Sequence, residues 1–420
     1  MVTYRGDFSH PRPLPGVMRG SMMQNNNRWK KFRHKVVYAL VRPPFGFYIR
    51  LKYGIRVEKF NQEGDRPYLI VMNHQTAFDQ FFVCMAFKQP IYFVASEDLF
   101  SIGWVSRLIE YLVAPIPIKK QTLDLQAVKT CIKVAREGGA IALAPEGNRT
   151  FHGRTLYMKP GIASMAKKLG LPLAIFRIED GYGVHPRWSD VVRRGRMRGF
   201  VSRVVEPEEY ASMTNEELFN LIEQELRVDE GRVTGSFRHK KNAEFLERAM
   251  YTCPWCGLST FESHGDTVTC KTCGRQVRYL PTKEFEGIGF AFPFRFVGDW
   301  YAYQCDFVNA LDPAQYLETP MYCDTANMSE VVLYRRKQPL RQNAALALYG
   351  DRITVDDLVF PFRETAAVTV LGRNKLNIYF DEKVYQFKGD KRFNALKYVN
   401  LYHRYKNVSE GNADGKFLGL

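Results

Sequence analysis

The chain lacks long hydrophobic stretches. No run of eighteen apolar residues occurs in its 420 positions, so no transmembrane helix is predicted. The first 27 residues are polar and rich in proline, asparagine and methionine. They show no basic start followed by an apolar segment, so no secretory signal is read there and residues 1–27 are expected to be a loose leader. Cysteine is sparse: eight residues, four of them in two C-x-x-C pairs. That usage suits a metal in a reducing compartment better than a disulfide framework. Acid is also short, with 44 Asp and Glu against 60 Lys and Arg for a formal charge of +16. The partners this implies are anionic: lipid headgroups, phosphorylated substrates or nucleic acid, among which charge alone does not choose. What is plentiful is core-forming material, 45% apolar and 14% aromatic, at a length that suggests two to three domains of about 150 residues.

The most informative stretch is 68–88. Tyr68-Leu69-Ile70-Val71-Met72 is a short continuous apolar run and reads as a buried strand. It ends in a polar turn, Asn73-His74-Gln75-Thr76, and a helix-like segment follows. His74 and Asp79 therefore share one strand-to-helix junction. There a carboxylate can reach one imidazole nitrogen, fix the tautomer and leave the other nitrogen free as a base. A second polar loop, Pro145-Glu146-Gly147-Asn148-Arg149-Thr150, again directly follows a strand-like run at 140–144. Gly147 lets backbone approach a ligand, and Arg149 can grip a phosphate with two parallel hydrogen bonds.

These two blocks, in this order, resemble the H-x-x-x-x-D and P-E-G-T-R-S blocks of the PlsC-like glycerolipid acyltransferases, the 1-acylglycerol-3-phosphate acyltransferase family. Here Asn148 and Thr150 stand where that pattern has Thr and Ser. The resemblance covers about residues 28–228. It implies transfer of a fatty acyl group from acyl-CoA or acyl-carrier protein to a hydroxyl of a lysophospholipid, foremost 1-acylglycerol 3-phosphate. His74 would be the general base, Asp79 its orienting partner, and backbone donors near the turn would aid the oxyanion. Glu146, Gly147 and Arg149, with Asn148, Thr150 and Lys159, would hold the acceptor. Lys159-Pro160-Gly161 is similar to the family's Lys-x-Gly element. Where the family places an arginine block, this chain has Lys119 and Lys120, which lack arginine's fork.

Residues 28–57 carry nine Lys and Arg and no acid before Glu58, with Trp29, Phe32, Val36, Val37 and Leu40 at helical spacing, in a segment drawn over 28–60. That pattern predicts a membrane-facing amphipathic helix broken at Pro43-Pro44, each basic residue near an anionic surface contributing roughly 1 kcal/mol. Alternating strands and helices over 61–232 predict an α/β layered domain. The helix from 215 opens with a Thr214-x-x-Glu217 capping box, and the arginines of 187–203 read as a solvated basic hairpin. Cys253, Cys256, Cys270 and Cys273, each pair followed by glycine, read as a closed Cys₄ zinc ribbon whose Zn²⁺ is structural. Its domain is drawn as a helix plus ribbon over 233–282. Binding on the order of 10 kcal/mol would replace the core so small a module lacks.

A connector at 283–340, with a helix-like segment from Asp299, precedes short strands and a final amphipathic helix from Phe393. Residues 341–410 are therefore expected to be a small, mostly β barrel with a C-terminal helix, resembling PH or GRAM modules in architecture, and 411–420 a tail. The expected partners are a phospholipid membrane surface, the thioester donor and the lysophospholipid acceptor, with a homodimer open. The expected location is cytoplasmic, peripheral on the inner face of the cell membrane. Two rival readings are a catalytically silent lipid-binding scaffold and a nucleic-acid-binding ribbon protein. The second is disfavoured because Lys271, Arg275 and Arg278 face Glu262 and Asp266 rather than forming a dense basic patch.

Overall fold

The computed structural model describes residues 29–61, 64–118, 125–332 and 337–419. The leader, Arg28 and the Lys119–Lys120 pair lie outside the described residues. The first half contains α1 (Phe32–Tyr53), β1 (Ile55–Val57), β2 (Leu69–Met72), α2 (Asp79–Ala86), β3 (Ile91–Ser96), α3 (Trp104–Val113), β4 (Ile116–Ile118) and α4 (Leu125–Arg136). It continues with β5 (Ala140–Leu143), α5 (Gly161–Leu169), β6 (Leu173–Glu179), α6 (Gly181–Val184), β7 (Met197–Val205), α7 (Pro207–Ala211) and α8 (Asn215–Leu226). The strands form one sheet in the order β1-β7-β6-β2-β5-β3-β4. Within it β6, β2, β5, β3 and β4 run parallel, and β7 returns antiparallel to β6.

The alternation of side chains along β2 explains the layering. Ile70 and Met72 point into one core with Ile49 and Tyr53 of α1 and Phe82 and Val83 of α2. Leu69 and Val71 point into the opposite core with Val134 of α4, Ala163 of α5 and Ile222 of α8. A strand buried on both faces must be apolar throughout, which is why 69–72 reads as a continuous run. The α8 capping box forms as its sequence predicts, Thr214 and Glu217 each bonding the other's backbone N–H.

The helix α1 departs from expectation. It runs straight through Pro43 and Pro44, although a proline inside a helix costs about 3 kcal/mol. Contacts on both sides of the prolines offset that loss. The Tyr38 hydroxyl donates to the Cys84 carbonyl at 2.7 Å, Arg42 Nη2 to the Met85 carbonyl at 2.9 Å, and the Phe45 ring packs tilted against Phe81 with centroids 4.5 Å apart. Docking on α2 holds the helix where its own backbone would break.

The second half adds β8 (Thr252–Cys253), β9 (Gly257–Leu258), β10 (Phe261–His264), β11 (Thr267–Cys270), β12 (Gln276–Tyr279), β13 (Phe285–Gly287) and α9 (Val297–Ala310). The strands β10 to β13 form a four-stranded antiparallel sheet, and β8–β9 a small hairpin. No α-helix stands between α8 and β8; only a single helical turn, Leu246–Arg248, occurs there, so the helix expected before the cysteines is absent.

Next come β14 (Tyr322–Glu330), β15 (Gln338–Leu348), β16 (Arg352–Val355), β17 (Leu358–Pro361), β18 (Ala367–Leu371), β19 (Lys375–Phe380), β20 (Lys383–Lys388) and α10 (Leu396–Ser409). They form a separate curled antiparallel sheet in the order β17-β16-β15-β14-β20-β19-β18. Its two edge strands, β17 and β18, are not paired with each other, so it is a half-barrel rather than a closed barrel. It begins within the expected connector, because β14 alternates small and polar residues and carries little of the β-branched signal that marks β16 or β18.

The curled sheet, α9, α10 and the cysteine-bearing strands share one apolar core with Phe151, Tyr182 and Trp188 of the first half. Two arginines, the buried Arg248 and the half-buried Arg154, stitch the same boundary. Arg248 donates to the Trp188 and Lys391 carbonyls and pairs with Asp190, and Arg154 reaches Asp299 at 2.8 Å.

Candidate active site

His74, Asp79 and the 145–150 loop all lie beyond the carboxyl ends of the parallel strands, where the crevice of such a sheet opens. Asn73 ends β2 by bonding both the N–H and the carbonyl of Ile178, at 2.7 and 2.8 Å, which extends the ladder by a side chain. The next residue is therefore launched from a rigid edge.

His74 Nδ1 and Asp79 Oδ2 are 2.8 Å apart. Asp79 is fully buried and accepts from its own turn as well. Gln75 N–H reaches Oδ2 at 2.7 Å, and Thr76 N–H and Oγ1 reach Oδ1 at 2.9 and 2.7 Å. An ionised carboxylate accepts and never donates, so Nδ1 carries the proton and Nε2 is the basic nitrogen. Among the described residues Nε2 has no protein partner, and the side chain is 25% exposed. Burial lowers the His74 pKa from its ordinary value near 6.5; Asp79 draws it back up, and Arg149 and Arg187 press it down. The imidazole is neutral at pH 7, as a base must be. The amides of residues 75 and 76 are committed to Asp79, so these donors of the turn are not free to meet an oxyanion.

The second loop has a structural share in this arrangement. Glu146 accepts from the backbone N–H of His74 through Oε1 and from that of Leu156 through Oε2, both at 2.8 Å. Both carboxylate oxygens are engaged within the protein, and burial pushes the group up to about 8 against the pull of these two amides. Gly147 is exposed with φ +67°, a turn conformation open to glycine at little cost. Asn148 is half-buried beside it. Thr150 is buried, its hydroxyl accepting from the N–H groups of His152 and Gly153 and its own N–H reaching the His74 carbonyl at 3.4 Å. Lys159 is exposed ahead of α5.

Arg149 differs from its neighbours. Its Nη1 is buried with no hydrogen-bond partner, and burial lowers its pKa to about 10, with Arg373 adding to the effect.

Four residues that the sequence reading left out complete the surroundings. Arg187, read as part of a solvated hairpin, is buried over the Phe151 ring at 4.2 Å. It donates to the Arg149 carbonyl at 2.7 Å, to Gly372 at 2.7 Å and to Val370 at 3.0 Å. Arg193 is buried too, on the Gly183 and Asn242 carbonyls. Charge spacing does not separate these from solvated arginines, because their acceptors are backbone carbonyls brought in by distant segments. His185 lies between the Tyr53 hydroxyl, 3.5 Å from Nδ1, and Arg373 Nη2, 3.1 Å from Nε2. Burial, then Arg373 and Arg149, lower His185 to about 3. Since arginine only donates, Nε2 accepts and the His185 proton sits on Nδ1.

The four cysteines come together as their spacing predicts. The Sγ atoms of Cys253, Cys256, Cys270 and Cys273 all lie within 4.8 Å of one another, with Cys253 and Cys273 at 3.9 Å. Thiolates about 2.3 Å from a tetrahedral zinc stand about 3.8 Å apart, so the donor set fits such an ion. Gly257 and Gly274, both at φ +72°, turn the chain after each pair.

Residues 54–178, which carry most of this sheet and the dyad, match the family model described as Acyltransferase. Among curated proteins the chain is similar to the chloroplastic 1-acyl-sn-glycerol-3-phosphate acyltransferase BAT2 of Brassica napus, 23% identical over 180 residues, covering 42% of this chain and 51% of that protein. The 1-acyl-sn-glycerol-3-phosphate acyltransferase of Bacillus subtilis (strain 168) is 21% identical over 171 residues, 40% of this chain and 82% of that one. That of Borreliella burgdorferi is 30% identical over 113 residues, 26% and 45% respectively. The chain thus spans about half the length of the plant relative. Among solved structures, the 1-acyl-sn-glycerophosphate (LPA) acyltransferase PlsC of Thermotoga maritima aligns with 23% identity and a TM-score of 0.40, covering 46% of this chain and 77% of that one.

Proposed function

We propose that this protein moves a fatty acyl group from a thioester donor, acyl-CoA or acyl-carrier protein, to the free hydroxyl of 1-acylglycerol 3-phosphate. The observation that carries the reading is the His74–Asp79 pair, one nitrogen locked at 2.8 Å and the other open. In the proposed step Nε2 takes the proton of the acceptor hydroxyl as its oxygen attacks the thioester carbonyl. The tetrahedral intermediate then collapses, the carbon–sulfur bond breaks, and the departing thiolate recovers the proton from the imidazolium. Asp79 stabilises that transient cation, and a positioned base of this kind supplies about 10²- to 10⁴-fold. Glu146 acts on the reaction indirectly, by holding the His74 backbone.

The same reading takes the exposed apolar side chains of α1 and α3 as the face that meets the bilayer. Phe32, Leu40, Leu51 and Trp104 are each at least 70% exposed, and Arg33 stacks on Tyr111 at 4.0 Å between the two helices. No helix among the described residues is long and apolar enough to cross a membrane, which fits a peripheral position with the headgroup-facing acceptor at the crevice. The four cysteines are proposed to hold a structural Zn²⁺: with all four ligands supplied by the protein no position is left for substrate.

The test is acyl transfer from labelled acyl-CoA and from acyl-carrier protein to 1-acylglycerol 3-phosphate, glycerol 3-phosphate and a lysophospholipid panel, with His74→Ala in parallel. Product that disappears in a folded His74→Ala protein is the expected result, together with co-sedimentation on anionic vesicles. No product with any donor, from folded protein, would move the assignment to a silent lipid-binding scaffold.

A further inference from the structure

The turn between β18 and β19 belongs to the curled sheet, yet it lies in the acyltransferase crevice. Arg187 holds it there, donating to the carbonyls of Val370 and Gly372 with two nitrogens and to that of Arg149 with the third. One buried guanidinium thus ties the tip of the second half to the loop that follows β5. Arg373, at that tip, points back to His185 and Asp190, at 3.1 and 3.0 Å.

Positive charge at this place exceeds what the protein neutralises. Asp190 is shared between Arg373 and the buried Arg248. Asp79 offsets one of these charges at a distance, but its oxygens are taken up by His74 and its own turn, and those of Glu146 by two amides. Arg187 spends its donors on carbonyls, which accept hydrogen bonds but carry no counter-charge. Arg149 keeps Nη1 buried with no acceptor at all. An unsatisfied buried guanidinium is costly unless an anion completes it. His185 is uncharged and accepts from Arg373, which makes it a positioning group for the arginine rather than an additional cation.

We propose that Arg373 of the curled sheet and Arg149 of the acyltransferase domain together bind the phosphate monoester of the acceptor, so that the second half completes the substrate site. This inference rests on the proposed acyl transfer to a lysophosphatidate. It goes further in assigning specificity for a phosphate-bearing acceptor to a residue outside the region matched by the family model. It also gives the curled sheet a role that needs no ligand of its own.

The experiment separates the site from the reaction. Dodecyl phosphate, which has no hydroxyl to acylate, is titrated calorimetrically into the full chain and into Arg373→Gln, with inorganic phosphate in parallel. Loss of a charge-assisted contact predicts a Kd for dodecyl phosphate raised about 10- to 100-fold in Arg373→Gln, with Arg373→Lys intermediate because it keeps charge and loses the fork. A monoester-only site shows the same dependence with inorganic phosphate; a site that also reads the chain shows it with dodecyl phosphate alone. In turnover, KM for 1-acylglycerol 3-phosphate rises in the variants while that for the thioester stays constant. Equal dodecyl phosphate affinity in native protein and folded Arg373→Gln overturns the inference. If Arg373→Gln does not fold, unchanged affinity in Arg373→Lys does so instead. Arg373-dependent binding without any acyl transfer would keep the anion site and remove the enzymatic reading; transfer with KM independent of Arg373 would do the reverse.

Discussion

Replacing Asp79 by Asn tests the dyad with minimal change of shape. The amide keeps one accepting oxygen and turns the other into a donor. With its oxygen toward His74 and Gln75, the hydrogen bond at Nδ1 survives and Thr76 N–H still finds an acceptor, because it lies 3.0 Å from Oδ2 as well. Only the Thr76 hydroxyl must then turn away. The fold therefore loses one buried hydrogen bond, about 1 kcal/mol, and the thermal midpoint falls by a few degrees at most. The catalytic loss is larger. The charge centres of an imidazolium and its partnered carboxylate lie about 4 Å apart, and at an effective dielectric constant near 20 their attraction is about 4 kcal/mol. That stabilisation exists only once His74 has taken the proton, so its loss falls on the transition state and lowers kcat about 10³-fold. The opposite amide orientation is worse, because it puts the proton on Nε2 and removes the base altogether. Raising the pH does not rescue the variant: Asp79 is what holds the His74 pKa up, and without it the imidazole is neutral at still lower pH. The assay is steady-state transfer to 1-acylglycerol 3-phosphate from pH 5.5 to 9, alongside a melting curve. An Asp79→Asn protein within about tenfold of native kcat would refute the argument.

Two further outcomes are expected. Burial depresses the His74 pKa and the Arg149 and Arg187 charges deepen the shift, so the acid limb of kcat/KM lies below 6.5. Arg149→Gln removes one of those charges and should move the limb to higher pH, whatever it does to KM; a limb that stays in place or moves down would contradict this electrostatic account. Cys253→Ser, or chelation, should release one zinc per chain and lower the melting temperature well beyond what a surface substitution does. Structural zinc in small peptides contributes on the order of 10 kcal/mol. Because the cysteine strands share their core with α9 and the curled sheet, the loss should spread to that whole half; an unchanged melting curve after metal removal would argue against a bound ion.

The parts of this molecule visible in its sequence are those whose partners are near neighbours in the chain. His74 and Asp79 meet across one turn, so a five-residue interval already contains the geometry. Four cysteines in two tight pairs need only a hairpin to converge, and β2 shows as an apolar run because helices cover both of its faces. The capping box of α8 closes within four residues. Several expectations failed where an isolated stretch was judged without its neighbours. Pro43 and Pro44 look like a break until α2 supplies Tyr38 and Arg42 with carbonyls, and β14 looks like connector until β15 and β20 pair with it.

What only the tertiary structure decided is the use made of the charged groups. Glu146 resembles a substrate ligand in sequence, but the two backbone N–H groups that donate to it lie 72 and 10 positions away, and they occupy both of its oxygens. Arg187 and Arg373 carry no local signal at all, since the Arg187 bond to Val370 spans 183 positions and the Arg373 bond to His185 spans 188. A guanidinium is equally at ease in water or on a ring of buried carbonyls, and its neighbours in sequence do not say which it will meet. The geometry of the dyad is written locally; the proposed anion site beside it depends on two halves of the chain folding against each other.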